Sequence, residues 1–290
     1  MSPLNVVSSH AKGILITAFG VILLSPDGLF LRLISVNEWT LLWWRGVFFA
    51  LGVGILLIRQ GEFSDVFSRP SRARVVGAAL FAVSTICFVH SIRNTHVANT
   101  LVILCASPLA AAILSKIFLN DGIRRETWVA VAVVLAGILA ILFESLTTGR
   151  LFGDVLALGT AIAMAGVLVA VRMDRRGNPL PVLAYGSIAS AIIAWPLTSA
   201  LEVGPRDLVL LAVLGLLILP LAFGLIFIGP RYLTAPEVSL ILLLETILGP
   251  LWVWLVVSER PSSQVIAAGA FILTTIATHA IFGIYRNSHG

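Results

Sequence analysis

Long apolar runs alternate with short polar connections along the whole chain, and the rhythm repeats ten times. The runs cover 13–31, 39–58, 75–92, 97–119, 127–143, 151–171, 181–201, 207–229, 235–257 and 264–284. Each approaches the ~20 residues that a helix needs to cross the hydrocarbon core of a bilayer. None alternates apolar and polar positions with a period of two, as strands of a membrane barrel do. The pattern predicts an all-α integral membrane protein of ten transmembrane helices, with no room for a soluble domain. No cleavable signal peptide is expected. Ser25-Pro26-Asp27-Gly28 reads as a break within a retained first helix, not as a small-residue cleavage site.

Composition changes this picture little but narrows it. Of 290 residues, 59% are hydrophobic and 11% charged, against ~25% charged in an ordinary soluble domain. A soluble fold could not cover so much apolar surface, whereas lipid accepts it. The net charge of +5 would suit a nucleic-acid partner, but the basic residues fall in short clusters between runs and form no recognition face. They report topology instead. With the N-terminus inside, the inner side holds thirteen: Lys12, Arg59, Arg69, Arg72, Arg74, Lys116, Arg124, Arg125, Arg172, Arg175, Arg176, Arg231 and Arg286. The outer side holds five, namely Arg32, Arg93, Arg150, Arg206 and Arg260, and Arg45 lies within a run. Excess Lys and Arg mark cytoplasmic loops. Both termini are therefore expected in the cytoplasm, and the chain in the cell inner membrane.

Chemical signatures are sparse. Cys87 and Cys105 sit inside apolar runs without CxxC spacing, so neither a disulfide nor a metal site is implied. There is no P-loop, GxSxG, HExxH or nucleotide fingerprint. No enzyme activity, catalytic residue or cofactor is expected, and any active transport must draw on an ion or substrate gradient.

The chain divides into halves of five runs. Arg93-Asn94-Thr95-His96-Val97-Ala98-Asn99 corresponds to Arg231-Tyr232-Leu233-Thr234-Ala235-Pro236-Glu237, and Asp121 to Glu259, all at an offset of 138 residues. Five is odd, so the second copy enters the membrane upside down. Inverted repeats of this kind are a transporter feature, with substrate held near the midplane between them.

On these residues the chain resembles the EamA-type transporters of the drug/metabolite transporter superfamily. The matching features are Arg45 early in the second run, the Thr95-to-Thr100 start of the fourth, and Pro108. The second half adds Leu242-Leu243-Leu244-Glu245, leading through Gly249-Pro250-Leu251-Trp252 to Glu259. The resemblance covers two repeats, at 13–143 and 151–284. It departs from the common pattern at Thr246, where many members have proline, at Asp121, where many have glutamate, and in a first run lacking the usual Trp-Gly or Trp-Ser. It implies ten helices, inverted repeats, a central cavity, and export of amino acids or other metabolites. Aromatic amino-acid exporters of the YddG type are one grouping it suggests.

Charged groups inside lipid cost about 2.5–3.5 kcal/mol each on insertion scales, so they usually face a cavity or a partner. Glu245 is expected to bind a substrate amine or a proton, or else to brace its helix. Arg45 is expected to meet a substrate carboxylate, or to pair with Asp27, Glu38 or Glu245. His90, Asn99, Ser107 and Trp44 are candidate lining residues, His90 having packing as its alternative. Pro26, Pro108 and Pro250 are candidate helix breaks, since proline removes a backbone donor and frees a carbonyl. Asp27 is read as a cap or as a partner of Arg32, Glu237 as a helix-dipole acid, and Lys116 as a snorkelling anchor. A substrate with both ammonium and carboxylate would suit Glu245 and Arg45. The expected function is therefore a secondary carrier of amino acids or related zwitterions by alternating access, with protons as a coupling ion. Efflux of hydrophobic drugs or lipids is the alternative within transport, and a non-transport membrane protein the alternative outside it. Ten spans in one chain make both halves, so a monomer or weak homodimer suffices.

Overall fold

The computed structural model describes residues 3–62, 71–120, 125–174, 178–198, 202–228, 232–233 and 235–287. Asp121, Arg231 and the side chain of Glu237 lie outside the described residues. The described chain is helical, without strands.

Span 1 consists of α1 (Pro3–Leu24) and α2 (Asp27–Leu33), span 2 of α3 (Glu38–Gln60) and span 3 of α4 (Arg72–Asn94). Span 4 is again double, α5 (Val97–Leu104) and α6 (Ser107–Leu119), followed by span 5, α7 (Arg125–Thr148). Spans 6 and 7 are α8 (Leu151–Met173) and α9 (Leu180–Ala194), the latter with a 3-10 turn at Trp195–Leu197. Span 8 joins α10 (Pro205–Ala212) to α11 (Leu219–Ile228) through a π-helical stretch, Val213–Ile218. Spans 9 and 10 are α12 (Ala235–Val257) and α13 (Ser263–Asn287). Among the described residues, nine helical segments are long and apolar enough to cross a bilayer, and Ser263–His279 of α13 is a shorter apolar stretch. The ten expected runs thus reappear as nine full spans and one shorter segment.

Local chemistry sets the ends. Asn37 caps α3 by accepting from the Thr40 amide at 2.8 Å, and Glu38 complements the helix dipole in the first turn. The same helix stops at Gly61, whose φ of 72° places it in the left-handed region. Ser71 caps α4 through the Arg74 amide at 3.1 Å. Short connections then make consecutive spans antiparallel.

The packing repeats between halves. Span 1 packs on span 8 as span 6 does on span 3, span 2 on span 8 as span 7 on span 3, and span 4 on span 6 as span 9 on span 1. Spans 2 and 7, 4 and 9, and 5 and 10 pair with each other. Adding five to each span number returns the same set of principal contacts, which is a two-fold relation between the repeats. With an odd number of spans per repeat, that relation is an inversion across the membrane. Glycine makes the central 2–7 contact close: a Cβ on Gly46 would stand 2.6 Å from the Ser187 carbonyl oxygen. Outward-facing residues such as Leu15, Ile117, Val129, Ile192 and Leu255 are exposed, as a lipid-facing belt requires.

Candidate functional site

Two interruptions open the centre of the bundle. Span 1 breaks at Ser25–Pro26, where the Ser25 hydroxyl donates to the Ile22 carbonyl at 2.8 Å and accepts from Trp252 Nε1 at 2.9 Å. Span 4 breaks at Cys105–Ala106, with Pro108 in the first turn of α6, where the absent N–H costs nothing. The Ser107 hydroxyl donates to the Leu104 carbonyl at 2.6 Å. Pro250 differs from the other two prolines. Helix α12 continues through it without a break; membrane helices tolerate proline where neighbouring helices support the freed backbone. The preceding Gly249 lets α5 approach, since a Cβ there would stand 2.3 Å from Leu101 Cδ1.

Beside these breaks lies a cavity of about 200 Å³ lined from spans 1–4 and 6–9. Its charged groups are Asp27, Arg45 and Glu245. Asp27 opens α2 directly after the break, and its Oδ2 accepts from Arg45 Nη2 at 2.6 Å. Both residues are about one-twentieth exposed. The guanidinium also lies over the Phe88 ring, 5.7 Å from its centroid. Glu245, near the middle of α12, has no hydrogen-bond or ion-pair partner among the described residues, and it feels the negative charge of Asp27. Its neighbour Thr246 meets Cys105 across the span 4 break, Oγ1 to Sγ 2.7 Å. The rest of the wall mixes aliphatic, hydroxyl and aromatic side chains, the aromatic ones clustered together. Phe49 and Phe223 stack at 5.7 Å, Phe81 lies 6.0 and 6.2 Å from those two rings, and Phe227 lies 6.1 Å from Phe223.

The structure thus brings Arg45, Ser107, Pro108 and Glu245 to one cavity and places the other candidates elsewhere. Asn99 donates to both carboxylate oxygens of fully buried Asp154, at 3.2 and 3.1 Å, and Ser145 donates to the same carboxylate. The His90 ring packs edge-on against Trp39 at 4.6 Å. Trp44 packs against Trp43 at 4.7 Å and Phe48 at 5.2 Å. Pro26 stands at the break itself, next to Asp27. Asp27 is paired with Arg45 and not with Arg32, which meets Glu259 instead. The phenylalanines carried no sequence signal, since an aromatic residue in an apolar run looks the same whether it faces lipid or a cavity.

Arg32 belongs to a latch at the end of the bundle that is poor in basic residues. Its Nε lies 2.9 Å from Glu259 Oε2, with the N–H aimed away from the contact, and its Nη2 donates to the Thr95 carbonyl. Glu259 Oε1 accepts from the Val97 amide at 2.8 Å and stands 3.3 Å from His96 Nδ1. Burial alone would raise the Glu259 pKa. The hydrogen bond from His96, the Arg32 charge and the Val97 amide outweigh it and hold the carboxyl below its ordinary value. Arg93 ties in the turn after α2 by donating to the carbonyls of Ile34 at 2.6 Å and Val36 at 2.9 Å. The latch therefore joins spans 1, 3, 4 and 9.

A multi-pass helical bundle of two related halves around a cavity with buried charges is the architecture of a membrane transporter of small molecules. The chain belongs to the EamA-like transporter family, whose model matches residues 11–143 and 151–279. It is similar to the pseudopaline exporter CntI of Pseudomonas aeruginosa. With the protein of strain UCBPP-PA14 it shares 27% identity over 237 residues, covering 78% of this chain and 82% of the relative. With that of strain PAO1 it shares 27% over 240 residues, with the same coverage. A solved crystal structure aligns with a TM-score of 0.69 at 17% identity, covering 93% of this chain and 97% of the other, and so shares its fold.

Proposed function

We propose that this protein is a secondary carrier of the cytoplasmic membrane that exports a small organic metabolite bearing an ammonium group, by alternating access. Glu245 carries the reading: a carboxylate without a protein partner among the described residues, in a cavity lined from both halves of the bundle. Such a group is costly in lipid unless a ligand or proton meets it. The distribution of Lys and Arg supports cytoplasmic termini, which puts the Arg32–Glu259 latch on the outer side and the cavity behind it. The repeats are 13–143 and 151–284, and their inversion supplies two equivalent ways to open. Amino acids are the zwitterionic members of the substrate class; their carboxylate would require Arg45 to leave Asp27. Proton coupling rests on Glu245 exchanging a proton for the substrate ammonium. Counterflow in proteoliposomes, with labelled amines and amino acids and with or without an imposed proton gradient, tests the proposal. Saturable exchange that Glu245→Gln abolishes is the expected result. Absence of saturable exchange for every compound would refute it.

A further inference from the structure

We infer that the cavity selects a compact aromatic amine carrying one positive charge and no free carboxylate. This rests on the carrier reading and names its substrate class. The charge inventory decides the sign. Asp27 and Arg45 neutralise each other at 2.6 Å, and Phe88 covers the guanidinium. What remains is the single carboxylate of Glu245, which no described side chain partners. An ammonium group entering the cavity recovers its lost hydration at Glu245. A carboxylate on the same ligand would have to share Arg45 with Asp27 and would leave the buried cavity with an unbalanced negative charge, which is unfavourable.

Hydrogen bonding points the same way. Of the seven hydroxyls of the lining, five donate to backbone carbonyls, Thr246 is paired with Cys105, and Thr85 alone makes no hydrogen bond among the described residues. Ser84 donates to Thr160, Ser107 to Leu104, Thr160 to Leu156, Ser187 to Ala184 and Ser190 to Ser187. Among the apolar lining, Phe49, Phe81, Phe223 and Phe227 form one contiguous aromatic cluster, a surface suited to an aromatic ring in offset or edge contact. About 200 Å³ is below the roughly 300–1,000 Å³ of drug-sized pockets, a size that suits one ring with a short amine tail.

A matched set of probes isolates each element. Phenethylamine has ring and charge, phenylalanine adds the carboxylate, butylamine lacks the ring, and 2-phenylethanol lacks the charge. Isothermal titration calorimetry on the purified full chain should show phenethylamine binding at least about tenfold more tightly than each of the others. Glu245→Gln should erase the preference for amine over alcohol, and Phe223→Leu the preference for phenethylamine over butylamine. Both variants are first checked for the parent's melting temperature. Counterflow of labelled benzyltrimethylammonium in proteoliposomes reads transport separately. Equal or tighter binding of phenylalanine, or no binding of either amine, overturns the substrate class. Counterflow of phenylalanine without amine preference overturns the class while leaving the carrier, and amine binding without counterflow supports the class and removes the carrier.

Discussion

Replacing Asp27 by leucine removes one half of an ion pair from the membrane interior while keeping the branching of the side chain at Cγ. The pair is buried on both sides, so the stranded Arg45 guanidinium cannot recover its hydration without moving. Breaking a buried pair from one side costs about 3–5 kcal/mol. The contact here is a single one, Nη2 to Oδ2, with Asp27 Oδ1 and Arg45 Nε lacking hydrogen-bond partners among the described residues. It is weaker than a two-pronged guanidinium–carboxylate pair, which places the expected loss near the lower end, at about 3 kcal/mol. Unfolding by sodium dodecyl sulfate in mixed micelles, followed by loss of helical signal, measures it. The double variant Asp27→Leu/Arg45→Met should recover most of the loss, because two apolar residues of similar shape leave no buried charge. An Asp27→Leu protein within about 0.5 kcal/mol of the parent would refute the reasoning, since surface-like substitutions fall in that range. So would a double variant no more stable than the single one.

Two glycines on one helix should behave oppositely. A Cβ on Gly52 would stand 2.4 Å from Pro220 Cγ and 2.9 Å from the Leu216 carbonyl oxygen, so Gly52→Ala should lose about 1–3 kcal/mol in the same unfolding assay. A Cβ on Gly54 meets nothing within 4 Å, so Gly54→Ala should gain about 0.5–1 kcal/mol from the helix backbone alone. Asn99→Ala removes hydrogen bonds to the buried Asp154 carboxylate and should cost about 1.5–3 kcal/mol by that measurement. The latch should respond to acid. Because Glu259 is held below its ordinary pKa of 4.5, its contribution is present at neutral pH and disappears as pH falls through that range and below. The melting-temperature difference between the parent and Glu259→Gln should therefore be largest near pH 7 and shrink toward pH 3; a gap that grew on acidification would contradict the assignment.

The transmembrane segments were legible because hydropathy is a local property: about 20 apolar residues cross a bilayer whatever their neighbours do. The break at Ser25–Pro26 was readable for the same reason, since proline and the residues around it act on their own backbone. Span 4 follows the same logic: Pro108 offers no amide to the Leu104 carbonyl, which accepts from the Ser107 hydroxyl instead, and the interruption falls between them at Cys105–Ala106. Pro250 carries the same signal and lies within a continuous helix, so the support around a proline decides between bend and break. Glu245 and Arg45 stood out through the cost of charge in lipid alone, and both line the cavity.

What the sequence determined by itself was the class of solvent, the number of apolar runs, the five-run repeat and the identity of the charges that lipid would not tolerate. Each of these depends on a residue and its near neighbours. Tertiary structure decided which charges neutralise one another. Asp27, Glu38 and Glu245 were equally open partners for Arg45, and the fold pairs it with Asp27. Arg32 and Glu259 are 227 residues apart and meet because spans 1 and 9 pack together. The same packing turned Phe49, Phe81, Phe223 and Phe227 to one cavity and left Glu245 as its unpaired acid. Electrostatic balance in a low-dielectric interior is set by contacts a few ångströms long between helices remote in sequence, and no local pattern encodes those distances.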